Sequence, residues 1–403
     1  MKNDPTRVRV TGPLARLAPD FRCALEDAGY TGPSAANQLR LIAHLSRFLE
    51  ERSLDVDALD EGCMERFLVE RRREGYSGHL SRKALAPFLT RLERFGIAVA
   101  LGTDRLDQPF GELLDCYRQY LVAERGLQLS TVENYVRHAC AFLANCDRTG
   151  RIELPSLTSA EVVTFVVSEC SRREVADAKN FVTSLRSLLR FLHVSGITTS
   201  SLVGAVPAVA HWRGAALPRA VELETVERLF ESCNRDTVTG RRDFAVLVLL
   251  ARLGLRAGEV AAAQLSDIDW RRSEMVVRGK GSRLEALPLP VDVGEAIADY
   301  LYGGRPKLAG GPLFFRVHAP LVALSRGGVK TIVHASCERA GVAAFGPHRL
   351  RHTAATEMLR HGCQLAEIAM VLRHRSLDAT EIYAKVDHQA LRELALPWPG
   401  GAA

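Results

Sequence analysis

A short segment toward the C-terminal end of the chain carries side chains that can bind an anion. In FGPHRLRHTAATEML (345–359), His348 and Arg351 are three residues apart, so on a helix they project from one side. The free backbone N–H groups at a helix N-terminus also attract phosphate. The segment has an apolar stripe at helical spacing, formed by Leu350, Ala354, Ala355, Met358 and Leu359. On this segment alone, a surface helix with a solvated basic face is the simpler interpretation.

The composition is that of a globular protein with a modest basic excess. The 403 residues suffice for two or three domains, and 47% of them are hydrophobic. The net charge of +6 is compatible with a nucleic-acid partner without requiring one. The nine cysteines form no CxxC pair, which is typical of free thiols in a reducing cytoplasm. The start of the chain lacks the apolar core of a secretory signal, and no stretch approaches the roughly 18 apolar residues of a membrane span.

Five further positions carry chemically useful side chains in three separate segments. In LARLGLRAGEVAAAQL, Arg256 follows an apolar helical pattern and a glycine, and Glu259 comes three residues later. In VVRGKGSRLEAL, Lys280 lies at the tip of a predicted β-hairpin. In VLRHRSLDATEIYAKV, His374 precedes Tyr383 by nine residues. Each position alone has an ordinary explanation as a helix-end cation, a turn lysine, a capping histidine or a half-buried tyrosine.

Taken together and in this order, these residues strongly resemble the tyrosine recombinase (phage integrase) family. The family pattern is an Arg, a hairpin Lys, His-x-x-Arg, a His or Trp, and then a nucleophilic Tyr; the resemblance covers about 220–390. It implies a mainly α-helical fold, with a small β-sheet or hairpin in a C-terminal catalytic domain that acts on double-stranded DNA. One departure is Leu372-Arg373-His374, where the family often has Leu-Gly-His. Arg373 thus replaces a small residue in what is expected to be a tight turn.

The resemblance implies that four of these residues act directly on a DNA phosphodiester. Arg256 and Arg351 would clamp the phosphoryl oxygens with paired N–H donors, a planar geometry that Lys does not offer. Tyr383 would attack phosphorus and form a 3′-phosphotyrosyl link. Because the reference pKa of a tyrosine is about 10, the nucleophile needs a neighbouring base, and His348 is expected to serve as one.

The remaining residues are expected to assist this reaction. Lys280 would protonate the leaving 5′ oxygen as general acid, His374 would donate a hydrogen bond to the phosphate, and Glu259 would orient the site. No cofactor and no metal ion is expected, because the cationic side chains take over the charge stabilisation that a metal supplies elsewhere. His352 is expected to be structural, with its side chain pointing away from the face that carries His348.

The N-terminal half predicts two tandem helical domains that resemble each other. The segment VTSLRSLLRFLHVSGI repeats the apolar pattern of RKALAPFLTRLERFGI, including the final Gly-Ile. We therefore predict an N-terminal helical domain over 1–105 that duplicates a core-binding DNA-binding domain over 106–200. A linker over 201–220 then leads to the catalytic domain over 221–403, which ends in a C-terminal tail. The likeness of 108–200 to the family's core-binding domain is looser than that of the catalytic part.

The predicted N-terminal domain carries basic side chains suited to tracking DNA phosphates. They are Arg71, Arg72 and Arg73 in VERRREG, and Arg82 and Lys83 in SRKALAPF. The alternative is that these cations solvate a helix face, since neighbouring glutamates cancel part of their charge.

Three functions remain open at this point. The leading hypothesis is a site-specific recombinase or integrase of a mobile element, acting as a homo-tetramer on two DNA sites or with related recombinase subunits, without a membrane partner. A type IB topoisomerase would use similar residues, but would relax supercoiled DNA as a monomer. A DNA-binding protein with a non-productive active site would lack one of the cations or the tyrosine, and all are present here.

Overall fold

The fold is known from a computed structural model of the chain. It describes residues 4–94, 110–149, 154–209, 220–279, 284–307 and 311–373, together with Thr380 and Tyr383. Internal contacts divide the chain into two compact units. One comprises Met1–Arg52 and Ala216–Ala403, and the other comprises Ser53–Ala215. Residues 53–105 thus group with the second unit. The proposed domain limits and the duplication stay predictions.

The first unit begins with two helices, α1 (Ala18–Asp27) and α2 (Gly32–Glu50). Leu39, Ile42 and Leu45 share one side of α2 at helical spacing, and all three are fully buried. A backbone hydrogen bond of 2.9 Å runs from the N–H of Leu321 to the carbonyl of Ala28. This bond joins the end of α1 to the C-terminal part of the same unit.

The second unit is helical throughout its described part. Its helices are α3 (Glu61–Arg73), α4 (Arg82–Arg94), α5 (Gly111–Gln119), α6 (Leu129–Thr149), α7 (Ser159–Cys170) and α8 (Val175–Val194). A short π-helical turn, Tyr120–Glu124, extends α5. The rings of Phe142, Phe165 and Phe181 pack against one another in its core, with centroids 5.1 and 5.9 Å apart in successive pairs.

The C-terminal part of the first unit holds the remaining helices and a small sheet. The helices are α9 (Leu223–Glu231), α10 (Val238–Arg252), α11 (Ala257–Ala262), α12 (Val291–Gly303), α13 (Arg326–Arg339), α14 (Pro347–Arg360) and α15 (Leu365–Val371). Helix α10 is central and packs against α9, α11, α12, α13 and α14. It was predicted as a buried helix, and its residues 245–250 are buried without interruption.

Three antiparallel strands complete this part: β1 (Ile268–Asp269), β2 (Glu274–Arg278) and β3 (Leu284–Pro288). The predicted hairpin is confirmed, because β2 pairs with β3 from Glu274 opposite Pro288 to Arg278 opposite Leu284. Met275 and Leu287 face the core, as the two-residue period of a half-buried strand requires. Within the described ranges, none of the helices combines the length and apolar character needed to cross a bilayer.

Candidate active site

Arg256 and Glu259 lie at the start of α11. Arg256 is the residue that precedes the helix, and Glu259 reaches back to it with both carboxylate oxygens. Oε2 accepts a hydrogen bond of 2.8 Å from the Arg256 backbone N–H, and Oε1 lies 2.6 Å from Nη1 of the same residue. The side chain of Arg256 is 36% exposed and that of Glu259 only 5%. Glu259 therefore holds an arginine that still meets solvent.

Arg351 lies in the second turn of α14 and is almost fully buried, at 2% exposure. Its Nη1 donates to the carbonyl of Gly254 at 2.6 Å, and its Nη2 donates to the carbonyl of Leu372. Burial lowers the pKa of Arg351 to about 10, and the positive charges of Arg256 and Arg373 act in the same direction. Because this value is well above 7, the guanidinium stays charged at neutral pH.

A close approach of two chain segments places these arginines together. Gly254 has a φ of +58°, and a Cβ on it would lie 2.6 Å from Cδ2 of Leu372. A side chain at this position would therefore collide with the turn after α15 and would also be strained. Glycine allows the loop before α11 to touch the turn that follows α15, so both segments supply carbonyl groups to Arg351.

Arg373 occupies the position at which the family resemblance led us to expect a small residue. Its φ is +54°, in the left-handed region that favours glycine. Its side chain is 2% exposed, and Nη2 lies 2.8 Å from Oε2 of Glu259. Burial of the Glu259 carboxylate opposes its ionisation, but the charges of Arg373 and Arg256 and the backbone hydrogen bond lower its pKa below the ordinary value.

Tyr383 lies against the helix that carries Arg351. Its ring is 1% exposed and belongs to an apolar cluster with Ala355, Ile368 and Leu372. Its hydroxyl lies 2.8 Å from Nδ1 of His352. Burial raises the pKa of Tyr383 to about 12, although the nearby charge of Arg351 opposes this rise. The phenol is therefore neutral in this arrangement.

His352 was expected to be structural and to point away from His348, and this expectation was wrong. The two residues are four apart on α14, and residues at that spacing lie one above the other on the same face. Their ring centroids are 4.9 Å apart, and the centroid of His352 is 5.6 Å from that of Tyr383. His352 is the histidine that contacts the Tyr383 hydroxyl. The i, i+4 spacing was the signal that could have found it.

The surroundings of both histidines favour the neutral imidazole. Desolvation lowers the pKa of His352 to about 4, helped by the charges of His348, Arg351 and Arg349. Desolvation also lowers the pKa of His348, and Arg351, Arg256 and Arg326 contribute. A neutral imidazole can accept a proton from a hydroxyl, which a charged one cannot. His348 and His352 therefore both keep the capacity to act as a base, and His348 stays a predicted one.

Two predicted site residues, Lys280 and His374, lie outside the described residues. Among the predicted DNA contacts, Arg71 is buried, with its guanidinium 4.1 Å from the ring centroid of Tyr76 and Nη2 3.2 Å from the carbonyl of Gly78. This guanidinium packs inside the second unit and does not offer its charge to a phosphate. The other four predicted contacts are exposed: Arg72, Arg73, Arg82 and Lys83.

Comparison with known proteins identifies the family that this chain resembles. The phage integrase family model matches residues 219–390. Over 395 residues, the chain is 40% identical to a putative integrase/recombinase, y4rA, of Sinorhizobium fredii (strain NBRC 101917 / NGR234), and the match covers 97% of this chain and 96% of that protein. It is 30% identical over 289 residues to tyrosine recombinase XerC of Oceanobacillus iheyensis, covering 70% of this chain and 93% of the relative.

Solved structures show the same fold. The XerH site-specific recombinase, bound to a palindromic difH substrate in a post-cleavage complex, matches over 99% of both chains with a TM-score of 0.55 and 17% identity. A lambda integrase dimer bound to a COC′ core site matches over 83% of this chain and 88% of that one, with a TM-score of 0.53 and 17% identity. Since the y4rA relative is 40% identical over nearly the whole length of both proteins, the chain belongs to the phage integrase family of tyrosine recombinases.

Proposed function

We propose that the protein is a site-specific DNA recombinase that cleaves and rejoins strands through a 3′-phosphotyrosyl intermediate on Tyr383. The observation that carries the proposal is the position of this tyrosine. Its hydroxyl bonds to His352 on α14, one residue after the buried Arg351, whose charge acts on the same phenol. A nucleophile, a proton acceptor and a phosphate-binding cation therefore meet at one helix.

The proposed first step transfers the phosphoryl group from DNA to the protein. The Tyr383 oxygen bonds to phosphorus while its proton passes to Nδ1 of His352, and the bond from phosphorus to the 5′ oxygen breaks. Lys280 supplies the proton that this leaving oxygen takes up. The phosphotyrosyl ester retains the energy of the broken bond, so attack by a 5′ hydroxyl of another strand rejoins DNA without ATP.

Two arginines stabilise the additional negative charge of the transition state. Arg256 is held by Glu259 at one side and remains partly open to solvent, which suits it to contact a phosphate that arrives with DNA. Arg351 is fixed in its position by two backbone carbonyls. Donors that are already oriented need little reorganisation during the reaction, which is the principle of electrostatic preorganisation.

The assembly and the biological role are proposed from the relatives. The solved structures that match this chain include a lambda integrase tetramer bound to a Holliday junction. We propose that this chain likewise acts as a tetramer on two DNA sites and passes through a four-way junction. We place it in the bacterial cytoplasm, associated with the nucleoid, and assign it to a mobile element, whose integration or excision it would catalyse.

A trapping experiment tests the proposed reaction. Duplexes that bind the Tyr383→Phe variant are first selected from a random pool, and the selected sequence is rebuilt as a nicked suicide substrate. The wild type should form a covalent adduct, Tyr383→Phe should form none, and Tyr302→Phe should behave as wild type because Tyr302 is 94% exposed. Absence of a wild-type adduct, or an adduct with Tyr383→Phe, would refute the proposal. Relaxation of supercoiled plasmids that lack the selected sequence would instead support the topoisomerase alternative.

A further inference from the structure

In the turn that follows α15, Arg373 has a backbone conformation that is unfavourable for a residue with a side chain. Arg373 has a φ of +54°, a conformation that glycine adopts freely and a residue with a Cβ adopts only at a cost in conformational free energy. The guanidinium of Arg373 is also buried, which adds a desolvation cost. Because both its backbone conformation and its burial are unfavourable, we expect the Arg373 side chain to have a compensating role. Its contacts indicate what that role is.

The contacts of Arg373 lead to Arg256 by two routes. Through its side chain, Nη2 lies 2.8 Å from Oε2 of Glu259, the same oxygen that accepts the backbone N–H of Arg256. Through its backbone, the carbonyl of Arg373 accepts a hydrogen bond of 3.2 Å from Nη2 of Arg256. Nη1 of Arg373 donates at 2.8 Å to the carbonyl of Val371, which orients the guanidinium toward Glu259. Arg256 is therefore bound by a carboxylate and a carbonyl that Arg373 positions.

The charges in this cluster explain why a second arginine is useful there. Glu259 holds Arg256 in place, but its negative charge also cancels the positive charge of Arg256 that would attract a phosphate. Arg373 shares that carboxylate, so the three side chains together carry one net positive charge instead of none. Because the side chains of Glu259 and Arg373 are buried, their charges act on the neighbouring groups with less screening than charges at the surface would.

We propose that Arg373 is a positioning residue for DNA cleavage: it fixes Glu259 against Arg256 and restores a net positive charge to the cluster that meets the scissile phosphate. The inference rests on the proposed recombinase function. It differs from a purely structural role for the turn, because Arg373 then acts on the rate of phosphoryl transfer and does so through Glu259.

The test measures single-turnover formation of the phosphotyrosyl adduct and, separately, the Kd for the same DNA. Arg373→Gly removes the guanidinium and suits the left-handed backbone, but it takes one of two arginines from the buried Glu259 carboxylate. The folded protein should therefore lose some stability, so thermal unfolding is measured alongside and the assays are run below the unfolding transition. We expect its cleavage rate to fall at least tenfold, with a Kd within twofold of wild type. Arg271→Gly, at an exposed turn of the same unit, is the matched control and should cleave at the wild-type rate.

A double-variant comparison separates positioning from a general structural effect. If Arg373 acts through Glu259, Arg373→Gly should change the cleavage rate by less than threefold in a Glu259→Gln background, where the shared carboxylate is absent. Wild-type cleavage by Arg373→Gly, or an undiminished tenfold loss in the Glu259→Gln background, would overturn the inference. Should Arg373→Gly fail to fold, Arg373→Lys takes its place. It keeps the charge without the planar fork, and it should lose at least threefold in rate. Absence of any wild-type adduct would count against the proposed function instead.

Discussion

The phenolic oxygen of Tyr383 lies 2.8 Å from Nδ1 of His352, so the phenol that we propose as nucleophile and a neutral imidazole are already paired in the free protein. When the tyrosine hydroxyl donates this hydrogen bond, the imidazole proton is on Nε2. With a pKa of about 12 for the tyrosine and about 4 for the histidine, the proton stays on oxygen at rest. In the proposed reaction, activation therefore awaits the bound phosphodiester: the tyrosine oxygen gives its proton to His352 as its new bond to phosphorus forms.

The first prediction concerns His352, which we propose accepts this proton. His352→Ala should lower the rate of adduct formation by about 10²- to 10⁴-fold, the range typical of a lost general base. His352→Asn keeps an acceptor near the position of Nδ1 but takes up no proton, so it should recover only a small part of the rate. The measurement is single-turnover cleavage of the suicide substrate. If His352→Asn reacts like wild type, His352 orients the tyrosine and His348 is the base.

The second prediction is a pH dependence of stability. The pKa of His352 is about 4 in the folded protein against a reference of 6.5, so the unfolded chain binds more protons between these values. The stabilisation of the folded protein by the neutral His352 ring is complete above pH 6.5, and it is lost as the pH falls toward 4. Urea unfolding of wild type and His352→Asn should show the difference in unfolding free energy shrinking below pH 6.5, by at most about 1.4 kcal/mol per pH unit. A constant difference across this range would show that the ring does not titrate as described.

The third prediction separates the two arginines of the site. Arg256→Ala and Arg351→Ala should both abolish cleavage and leave most DNA affinity, since many other cations contact backbone phosphates. They should differ in stability. Arg351→Ala leaves the buried carbonyls of Gly254 and Leu372 without a donor, at about 1–3 kcal/mol for each. Thermal unfolding and a binding titration, run alongside the cleavage assay, provide the comparison. Equal losses of binding and cleavage would point to a structural role for the arginine concerned.

The fourth prediction tests Lys280 as general acid. A substrate with a bridging 5′-phosphorothiolate has a leaving group that departs without a proton, so loss of the acid matters less. Lys280→Ala should therefore be strongly defective on the oxygen substrate and near wild type on the sulfur substrate. Arg256→Ala is the control, because sulfur should not rescue the absence of a phosphate clamp. An equal defect of Lys280→Ala on both substrates would remove it from this role.

The fifth prediction concerns the basic residues of α3 and α4. Replacing Arg73 or Lys83 by Ala should reduce the slope of log K against log salt by about 0.9 for each phosphate that the variant can no longer neutralise, with little change in stability. Arg71→Ala should instead lower the stability and leave the salt slope unchanged, because the guanidinium of Arg71 packs on the ring of Tyr76 inside the unit. Binding titrations at several salt concentrations and thermal unfolding measure the two effects. An unchanged slope for Arg73→Ala and Lys83→Ala would favour a solvated helix face.

Local patterns in the sequence predicted the helices and strands that carry the site, but they did not predict the contacts between its side chains as well. Helices α2 and α10 follow from apolar periodicity and the hairpin of β2 and β3 from β-rich runs about a glycine turn, since these signals lie within a few residues. Arg256, Glu259 and Arg351 were identified from their order along the chain, and the structure brings them together.

Contacts between distant segments were not predictable in the same way. The buried pair of Arg373 and Glu259 joins residues 114 positions apart, and nothing in either segment alone signals it. The error at His352 was different, because the helical spacing from His348 was visible and was misjudged. The burial of Arg71 depends on the later turn at Tyr76 and Gly78, which a count of basic residues does not reveal.

The almost complete burial of the Tyr383 ring has a kinetic consequence. In the proposed reaction a phosphate needs in-line access to the phenolic oxygen, so the reactive geometry forms only in the fraction of molecules in which this oxygen has become accessible to DNA while its contact with His352 is kept. The observed cleavage rate scales with that fraction. A brief encounter with unrelated DNA would then end by dissociation before the phenolic oxygen becomes accessible, whereas a long-lived complex at the correct site would have time to react. The time that the protein spends on DNA, rather than affinity alone, becomes the quantity that decides which sequences are cut.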